Sequence, residues 1–255
     1  MLRNFGLEKF DIIIQAGQSN SEGCGIGDTT IPFAQGPDIF YMENDFSICT
    51  AHEYVSGNFI VGNFSLSFSS SYSADGWLES GRKILILRAA EGGTGFRDNR
   101  WGICDDLYLR MMEMTKTALS LNTENRLAAF LWHQGETDAI LNAGRQEHYN
   151  NLIRLVSSVR ETFRCPDLPF IAGDFVSHWK NDNLEICMPV VEAIRDVCTD
   201  IGYAAFVETD GLTSNAQVIN NEDTIHFSRE AQNQLGLRYF EAFKNIKKEK
   251  SENSK

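Results

Sequence analysis

The sequence lacks paired cysteines and clustered histidines. Its six cysteines include no C-x-x-C pair, and His52, His148 and His178 have no ligand-like spacing. Close pairs of that kind are typical of zinc sites and thiol redox motifs, so both are disfavoured. We expect free, mostly buried thiols, no metal and no other cofactor.

Long apolar runs are absent as well. No window of the sequence reaches the ~20 consecutive apolar residues that a membrane-spanning helix needs. The first ten residues carry charges where a signal peptide requires a continuous apolar stretch. These two observations predict a cytoplasmic protein.

Positive charge is scarce. Lys and Arg together number 23 against 35 for Asp and Glu, which gives a formal net charge of −12. A field of that sign repels phosphate backbones and anionic lipid surfaces. We therefore expect neither nucleic acid nor a membrane as a partner, and the sequence leaves the oligomeric state open.

What is present is the composition of a folded domain. Of the 255 residues, 42% are hydrophobic and 23% are charged, as in ordinary globular proteins. This length suits one large domain, which we place at 1–246. The charged tail, 247–255, has no apolar residue to bury and is predicted to be disordered.

Short apolar runs alternate with helical periodicities along the chain. Such runs indicate strands that are buried on both faces, at 12–16, 84–87, 127–132, 169–172 and 203–207. The helical periodicities lie at about 105–121, 146–163, 188–199 and 228–246. This order predicts a three-layer α/β/α sandwich around a five-stranded, mostly parallel sheet of the doubly wound, flavodoxin-like kind.

The segment 24–80 does not follow this alternation. Gly, Ser, Asn and Phe recur in it without a clear period. So long a connection is uncommon in a compact domain and usually carries function or short extra elements. We expect an excursion over the functional site that contains one or two short strands or a helix.

Polar and glycine-rich loops follow the first three predicted strands that alternate with helices. These loops are Gly17-Gln-Ser-Asn20, Glu91-Gly-Gly-Thr-Gly95 and His133-Gln-Gly-Glu136. In open α/β sheets, ligands bind beyond the carboxyl ends of the strands, where such loops meet. Asp223-Thr-Ile-His226 precedes the last helix and can reach the same edge of the sheet.

These loops supply the groups that ester cleavage requires. A serine such as Ser19 becomes a useful nucleophile when an imidazole takes its proton, and a carboxylate orients that imidazole. His226 and Asp223 are three residues apart, so one turn could hold them together. The backbone at Gly92 and Gly93, the Ser19 N–H and the Gln134 amide could donate hydrogen bonds to an oxyanion.

The surrounding motif is not the G-x-S-x-G elbow of α/β-hydrolases. As an ordered set, the blocks resemble the SGNH hydrolase superfamily, from about Asp11 to Phe243, with 24–80 only loosely matched. They resemble most the carbohydrate acetylesterase branch, which includes sialate O-acetylesterases and family 6 acetylxylan esterases. The residues that carry this resemblance are Gly17-Gln-Ser-Asn20, Glu91-Gly-Gly-Thr94, Trp101 to Tyr108, Trp132-His-Gln-Gly-Glu-Thr-Asp138 and Asp223-x-x-His-Phe-Ser228.

The resemblance implies roles for individual residues. Ser19 would be the nucleophile, with Asp223 and His226 completing a triad. The oxyanion donors would be the Ser19 N–H, Gly93 (or Gly92) and Gln134, which replaces the superfamily's usual asparagine. Supporting or substrate-binding roles are left for Gln18, Asn20, Gly92 and Glu136, and Glu136 is also a candidate partner of the histidine in place of Asp223.

The resemblance implies a serine esterase that removes O-acetyl groups from a carbohydrate of the sialic acid or xylan-oligosaccharide type. Ser21 and Glu22 stand where the branch usually has an apolar residue, and Gly95 follows Thr94 where a bulkier residue is common. The acyl or sugar preference is therefore open. A catalytically silent carbohydrate-binding protein on the same fold and a lipase-like or thioesterase-like enzyme are the alternatives.

Overall fold

The structure is a computed structural model, which describes residues 4–28 and 36–253, without the side chains of Asp28 and residues 249–253. A 3₁₀ turn, Phe5–Leu7, precedes ten strands: β1 (Lys9–Gly17), β2 (Gly25–Asp28), β3 (Ile39–Met42), β4 (Ile48–Thr50), β5 (Tyr54–Ser56), β6 (Phe59–Gly62), β7 (Arg82–Arg88), β8 (Arg126–His133), β9 (Phe170–Gly173) and β10 (Ala204–Val207). Nine α-helices are also described: α1 (Ser19–Glu22), α2 (Phe64–Ala74), α3 (Asp106–Ser120), α4 (Glu136–Ile140), α5 (Arg145–Thr162), α6 (Ser177–Asp182), α7 (Leu184–Asp200), α8 (Asn215–Ile219) and α9 (Arg229–Asn253).

A seven-stranded sheet forms the middle layer, in the order β10-β9-β8-β1-β7-β3-β4. All neighbouring strands in it are parallel except β4, which is antiparallel to β3 at one edge. Strand β1 lies at the centre and pairs with β7 and β8, so the ends of these three strands share one edge of the sheet. The predicted sandwich is thereby confirmed.

The two faces of the sheet pack against separate apolar cores. Ile12 and Ile14 of β1 contribute to one core, which also includes residues of α3, α5 and α7. Ile13 faces the other core, which includes residues of α2 and α9. Burial on both faces explains why β1 is continuously apolar rather than alternating.

The strand count corrects the prediction of five, because the excursion 24–80 contributes β3 and β4 to the sheet. It also forms a separate three-stranded antiparallel sheet, β2-β6-β5, and the helix α2. Helix α2 is rich in serine, which favours helices weakly, so its sequence gave little periodic signal. All five predicted strands and all four predicted helices are present.

The chain's last helix extends into the predicted tail. Residues 247–253 belong to α9, whereas 254–255 lie outside the described residues. Lys and Glu are good helix formers, and lysines near a helix C-terminus interact favourably with its dipole, which explains why the helix continues into this charged segment. No helix within 4–28 and 36–253 is long and apolar enough to cross a membrane.

The cysteines are all free, as expected, but fewer are buried than predicted. Cys187 and Cys198 are buried, Cys104 is exposed, and the other three are intermediate.

Candidate active site

The predicted site residues lie at the carboxyl ends of the central strands. Ser19 begins α1 directly after β1, the loop 91–95 follows β7, and Gln134 follows β8. The turn from β1 into α1 requires glycine at Gly17. Its φ is +134°, and a Cβ there would lie 2.1 Å from the carbonyl oxygen of His133.

Ser19, His226 and Asp223 form one hydrogen-bonded chain. His226 Nε2 lies 2.9 Å from Ser19 Oγ. His226 Nδ1 lies 2.9 and 3.0 Å from the two carboxylate oxygens of Asp223. Because Nδ1 faces a carboxylate, it carries the proton, and Nε2 is left to accept one from the serine hydroxyl. This is the arrangement in which a histidine acts as a base towards a serine.

Neighbouring groups hold the acidic member in place. Asn215 Nδ2 donates to Asp223 Oδ2 at 2.8 Å, and the His226 N–H donates to Asp223 Oδ1 at 3.2 Å. Asn215 opens α8, whose N-cap is Ser214 with a capping box. Sequence reasoning missed Asn215, and no motif pointed to it.

Asn20 connects the serine turn to the histidine loop. Its Nδ2 donates to the Ile225 carbonyl at 3.0 Å, and its Oδ1 accepts the Phe227 N–H at 3.1 Å. These two contacts lie on either side of His226 in the sequence. The side chain of Asn20 therefore fixes the position of the histidine relative to Ser19.

Glu136 supports Asn20 rather than the histidine. Its Oε1 accepts a hydrogen bond from Asn20 Nδ2 at 2.8 Å, while Asp223 occupies His226 Nδ1. Glu136 is fully buried, and desolvation raises the pKa of its carboxyl group. Its second oxygen has no hydrogen-bond partner among the described residues.

Two backbone N–H groups, one of Ser19 itself and one in the neighbouring glycine loop, have no acceptor among the described residues. Neither the Ser19 N–H nor the Gly93 N–H donates to another residue within the described ranges. Gly93 is exposed and has a φ of +70°, and nothing lies within 4 Å of where a Cβ would be. The Gly92 N–H, in contrast, donates to Glu22 Oε2 at 2.9 Å. Of the two glycines proposed as oxyanion donors, Gly93 is the one whose N–H is available.

Gln134 is buried beneath these loops. Its Nε2 donates to Asp138 Oδ2 at 2.8 Å, and has longer contacts with the Thr94 carbonyl at 3.2 Å and Gln18 Oε1 at 3.4 Å. All three neighbours are acceptors, so the amide nitrogen cannot be exchanged with the amide oxygen. One hydrogen of Gln134 is firmly held by Asp138, and the other has only long contacts.

Asp138 and Gln18 order the loops around Gln134. Asp138 accepts the N–H groups of Phe96 and Arg97 at 3.1 and 2.8 Å, which ties the glycine loop to the end of β8. Gln18 Oε1 accepts the Thr137 N–H at 3.1 Å. Asp138 lies in the motif Trp132 to Asp138, so the sequence contained a signal for it, but no role was predicted.

His133 is separate from this chemistry. It is fully buried, and desolvation lowers its pKa to about 3. The Tyr239 hydroxyl donates to the Trp132 carbonyl and lies 3.0 Å from His133 Nδ1, so it accepts the Nδ1 proton. No group of three or more His, Cys, Asp or Glu side chains in the described part of the chain could hold a metal ion.

The sandwich fold is that of the SGNH-like hydrolases, and Ser19, His226 and Asp223 lie together at the carboxyl ends of its strands. Comparison with known families is more specific. The family model described as "Carbohydrate esterase, sialic acid-specific acetylesterase" matches residues 9–245. The chain belongs to this family and is a carboxylic ester hydrolase of the carbohydrate esterase class.

Individual relatives are distant in sequence. The chain is 25% identical over 257 residues to a probable carbohydrate esterase of Arabidopsis thaliana, covering 91% of this chain and 89% of the relative. It is 27% identical over 122 residues to a probable 9-O-acetyl-N-acetylneuraminic acid deacetylase of Escherichia coli (strain K12), covering 39% of this chain and 37% of that protein.

Two solved structures share the fold over nearly their whole length. The X-ray structure of the Arabidopsis protein has a TM-score of 0.74 at 24% identity, with 93% of this chain and 98% of that chain covered. The crystal structure of NanS has a TM-score of 0.76 at 18% identity, with 95% and 98% covered.

Proposed function

We propose that the protein removes O-acetyl groups from a carbohydrate through an acetyl-enzyme on Ser19. The observation that carries this proposal is the 2.9 Å contact between His226 Nε2 and Ser19 Oγ, with Asp223 on the other ring nitrogen. A neutral imidazole in this position can take the serine proton as Oγ attacks the acetyl carbonyl. Family membership supports an acetylated sugar as the substrate.

The reaction balances in two steps. In the first, Ser19 Oγ bonds to the acetyl carbon, His226 takes the serine proton, and the bond from that carbon to the sugar oxygen breaks as His226 protonates the leaving sugar. In the second, water attacks the acetyl-enzyme, and its proton passes to His226. The bond to Ser19 Oγ then breaks, the proton held by His226 returns to the serine, and acetic acid leaves and releases its remaining proton to solvent as acetate.

The open N–H groups of Ser19 and Gly93 are suited to the negative charge that forms on the carbonyl oxygen. We assign Gln134 as the third donor. Asp138 retains one of its hydrogens, and the second leaves its long contacts with Thr94 and Gln18 to meet the oxyanion. This hydrogen would then bond strongly only in the transition state.

Peptide mapping by mass spectrometry after rapid acid quench tests the proposal. With 4-nitrophenyl acetate or an O-acetylated sugar, we expect the acetyl group on the peptide that contains Ser19. Ser19→Ala should abolish both the adduct and turnover. Ser21→Ala is the matched control, because the Ser21 hydroxyl donates to the Ala16 carbonyl and takes no part in the triad.

Acetate release by folded Ser19→Ala at the wild-type rate would disprove the acetyl-enzyme. Sugar binding by a wild-type protein that releases no acetate would favour the silent binding protein instead.

A further inference from the structure

A second carboxylate lies next to the candidate nucleophile. Glu22 ends α1, one helical turn after Ser19, and its Oε2 accepts the Gly92 N–H at 2.9 Å. A Cβ placed on Gly92 would lie 3.2 Å from that carboxylate oxygen and 3.5 Å from Ser19 Cβ. Glu22 and Ser19 therefore flank the same glycine at the mouth of the site.

The charge of Glu22 is not neutralised by an ion pair with any described residue. Arg88 donates a hydrogen bond to the backbone carbonyl of Glu22 at 2.8 Å and forms its ion pair with Glu43 at 3.0 Å. A further acid nearby, Glu91, is paired with both Arg100 and Arg110 at 2.9 and 2.8 Å. Glu22 is also partly exposed, and its carboxylate lies beside the glycine that borders Ser19.

We infer that Glu22 is a specificity-determining residue that favours neutral acetylated sugars over sugars that carry a carboxylate, sialate included. This inference rests on the proposed function and names the substrate class of the same site. Two like charges about 7 Å apart at a protein surface repel enough to change a rate constant by roughly ten- to fifty-fold. A neutral sugar would meet no such barrier.

A matched pair of substrates isolates the charge. Methyl 2-O-acetyl-glucoside and methyl 2-O-acetyl-glucuronide differ in whether the sugar carries a hydroxymethyl group or a carboxylate. We expect wild-type kcat/KM to favour the glucoside at least tenfold, and to be low for 9-O-acetyl-N-acetylneuraminic acid. Increasing ionic strength should narrow the difference, because salt screens exposed charges.

Glu22→Gln removes the charge and keeps an oxygen that can accept the Gly92 N–H. The quantity to compare is the ratio of kcat/KM for the two substrates, in which any common effect on the reacting groups cancels. We expect this ratio to move about tenfold towards the glucuronide and to lose its dependence on salt. The control is Glu79→Gln, because Glu79 pairs with Arg126 at the start of β8, on the opposite edge of the sheet.

Three results would overturn the inference. They are a wild-type preference for the glucuronide or sialate, an unchanged ratio in Glu22→Gln, and an equal shift in Glu79→Gln, which would indicate net charge alone. Failure of the proposed esterase function can be told apart from failure of the Glu22 inference. It would remove Ser19-dependent hydrolysis of every substrate, including neutral 4-nitrophenyl acetate, and the inference would fall with it.

Discussion

Polar groups cluster at both ends of strand β1, around Asp11 at the amino end and around Ser19 at the carboxyl end. The two clusters differ in how completely their hydrogen-bonding groups are paired. At the amino end, Asp11 is fully buried and saturated with partners. Its Oδ1 accepts from Arg82 Nε and Arg126 Nε, both at 2.7 Å, and its Oδ2 accepts from the Tyr72 hydroxyl at 2.8 Å. These contacts join β1 to β7, β8 and α2, so this cluster binds elements of the fold together.

At the carboxyl end the hydrogen-bonding capacity is incompletely used. The N–H groups of Ser19 and Gly93 have no acceptor among the described residues, and Glu136 Oε2 has no donor. A saturated cluster stabilises a fold but has nothing left to offer a ligand, whereas donors without a protein acceptor remain available to a reacting group. The comparison explains why we place the proposed reaction at the end of β1 where hydrogen-bonding groups remain without protein partners.

The largest effect is expected from breaking the triad. His226→Ala removes the base and should lower kcat by about five to six orders of magnitude, as in other triads. Asp223→Asn should cost about 10⁴, because the histidine loses its orienting carboxylate. Steady-state kinetics with 4-nitrophenyl acetate measures both, and circular dichroism checks folding. Near wild-type turnover by either folded variant would remove that residue from the mechanism.

A substitution at the amino end of β1 should lower stability and leave kcat unchanged. Asp11→Ala leaves two arginines without their shared partner, and we expect the free energy of unfolding to fall by about 3–5 kcal/mol. The kcat of the molecules that remain folded should be unchanged, since Asp11 lies at the far edge of the sheet. Urea unfolding and active-site titration separate the two quantities. A large loss of kcat at wild-type stability would contradict the division of roles between the two ends.

Substitutions of Gln134 test whether its amide, which is hydrogen-bonded to protein acceptors in the free enzyme, donates to the oxyanion in the transition state. Gln134→Ala and the similarly sized Gln134→Met should each lower kcat by ~10²–10³, or roughly 3–4 kcal/mol, with little change in KM. The reason is that the lost hydrogen bond forms only with the oxyanion. An unchanged kcat with a much raised KM would place Gln134 in ground-state sugar binding instead.

His133 predicts a smaller, pH-dependent effect on stability. Burial lowers its pKa from 6.5 to about 3. Between these values the unfolded chain binds the proton and the folded chain does not, so the contribution to stability is lost as the pH falls below 6.5. The slope approaches about 1.4 kcal/mol per pH unit.

The control for His133 is His133→Phe, which keeps a ring beside Phe64 and Phe227 and has no titratable group. We expect urea unfolding to show the free-energy advantage of wild type over this variant shrinking between pH 7.5 and pH 5.5. The raised pKa of Glu136 acts in both proteins and cancels in the comparison. If the difference in unfolding free energy between wild type and His133→Phe stayed constant from pH 7.5 to pH 5.5, the lowered pKa of His133 would be contradicted.

The sequence predicted those parts of the molecule that depend on local pattern. Continuous apolar runs located five of the seven strands of the main sheet, and loops after three of them located Ser19, Gly93 and Gln134. Strand β3 was missed because its four residues lie in a segment without period, and its place in the sheet depends on pairing with β7 and β4, which are distant or irregular in sequence. Asn215 was missed for a similar reason, since its contact with Asp223 depends on the position of α8, which no local pattern encodes.

The Asn20 side chain has a consequence for the order of events during synthesis. It joins the turn that holds Ser19 to the carbonyl of Ile225 and the amide of Phe227, about two hundred positions later in the chain. The Gln232 side chain, from α9, then donates to the Asn20 carbonyl at 3.0 Å. A nascent chain therefore carries its serine early but has no base beside it until the last helix has left the ribosome and docked. Esterase activity should therefore appear late in translation and in a single step, when the carboxyl-terminal segment docks beside Ser19.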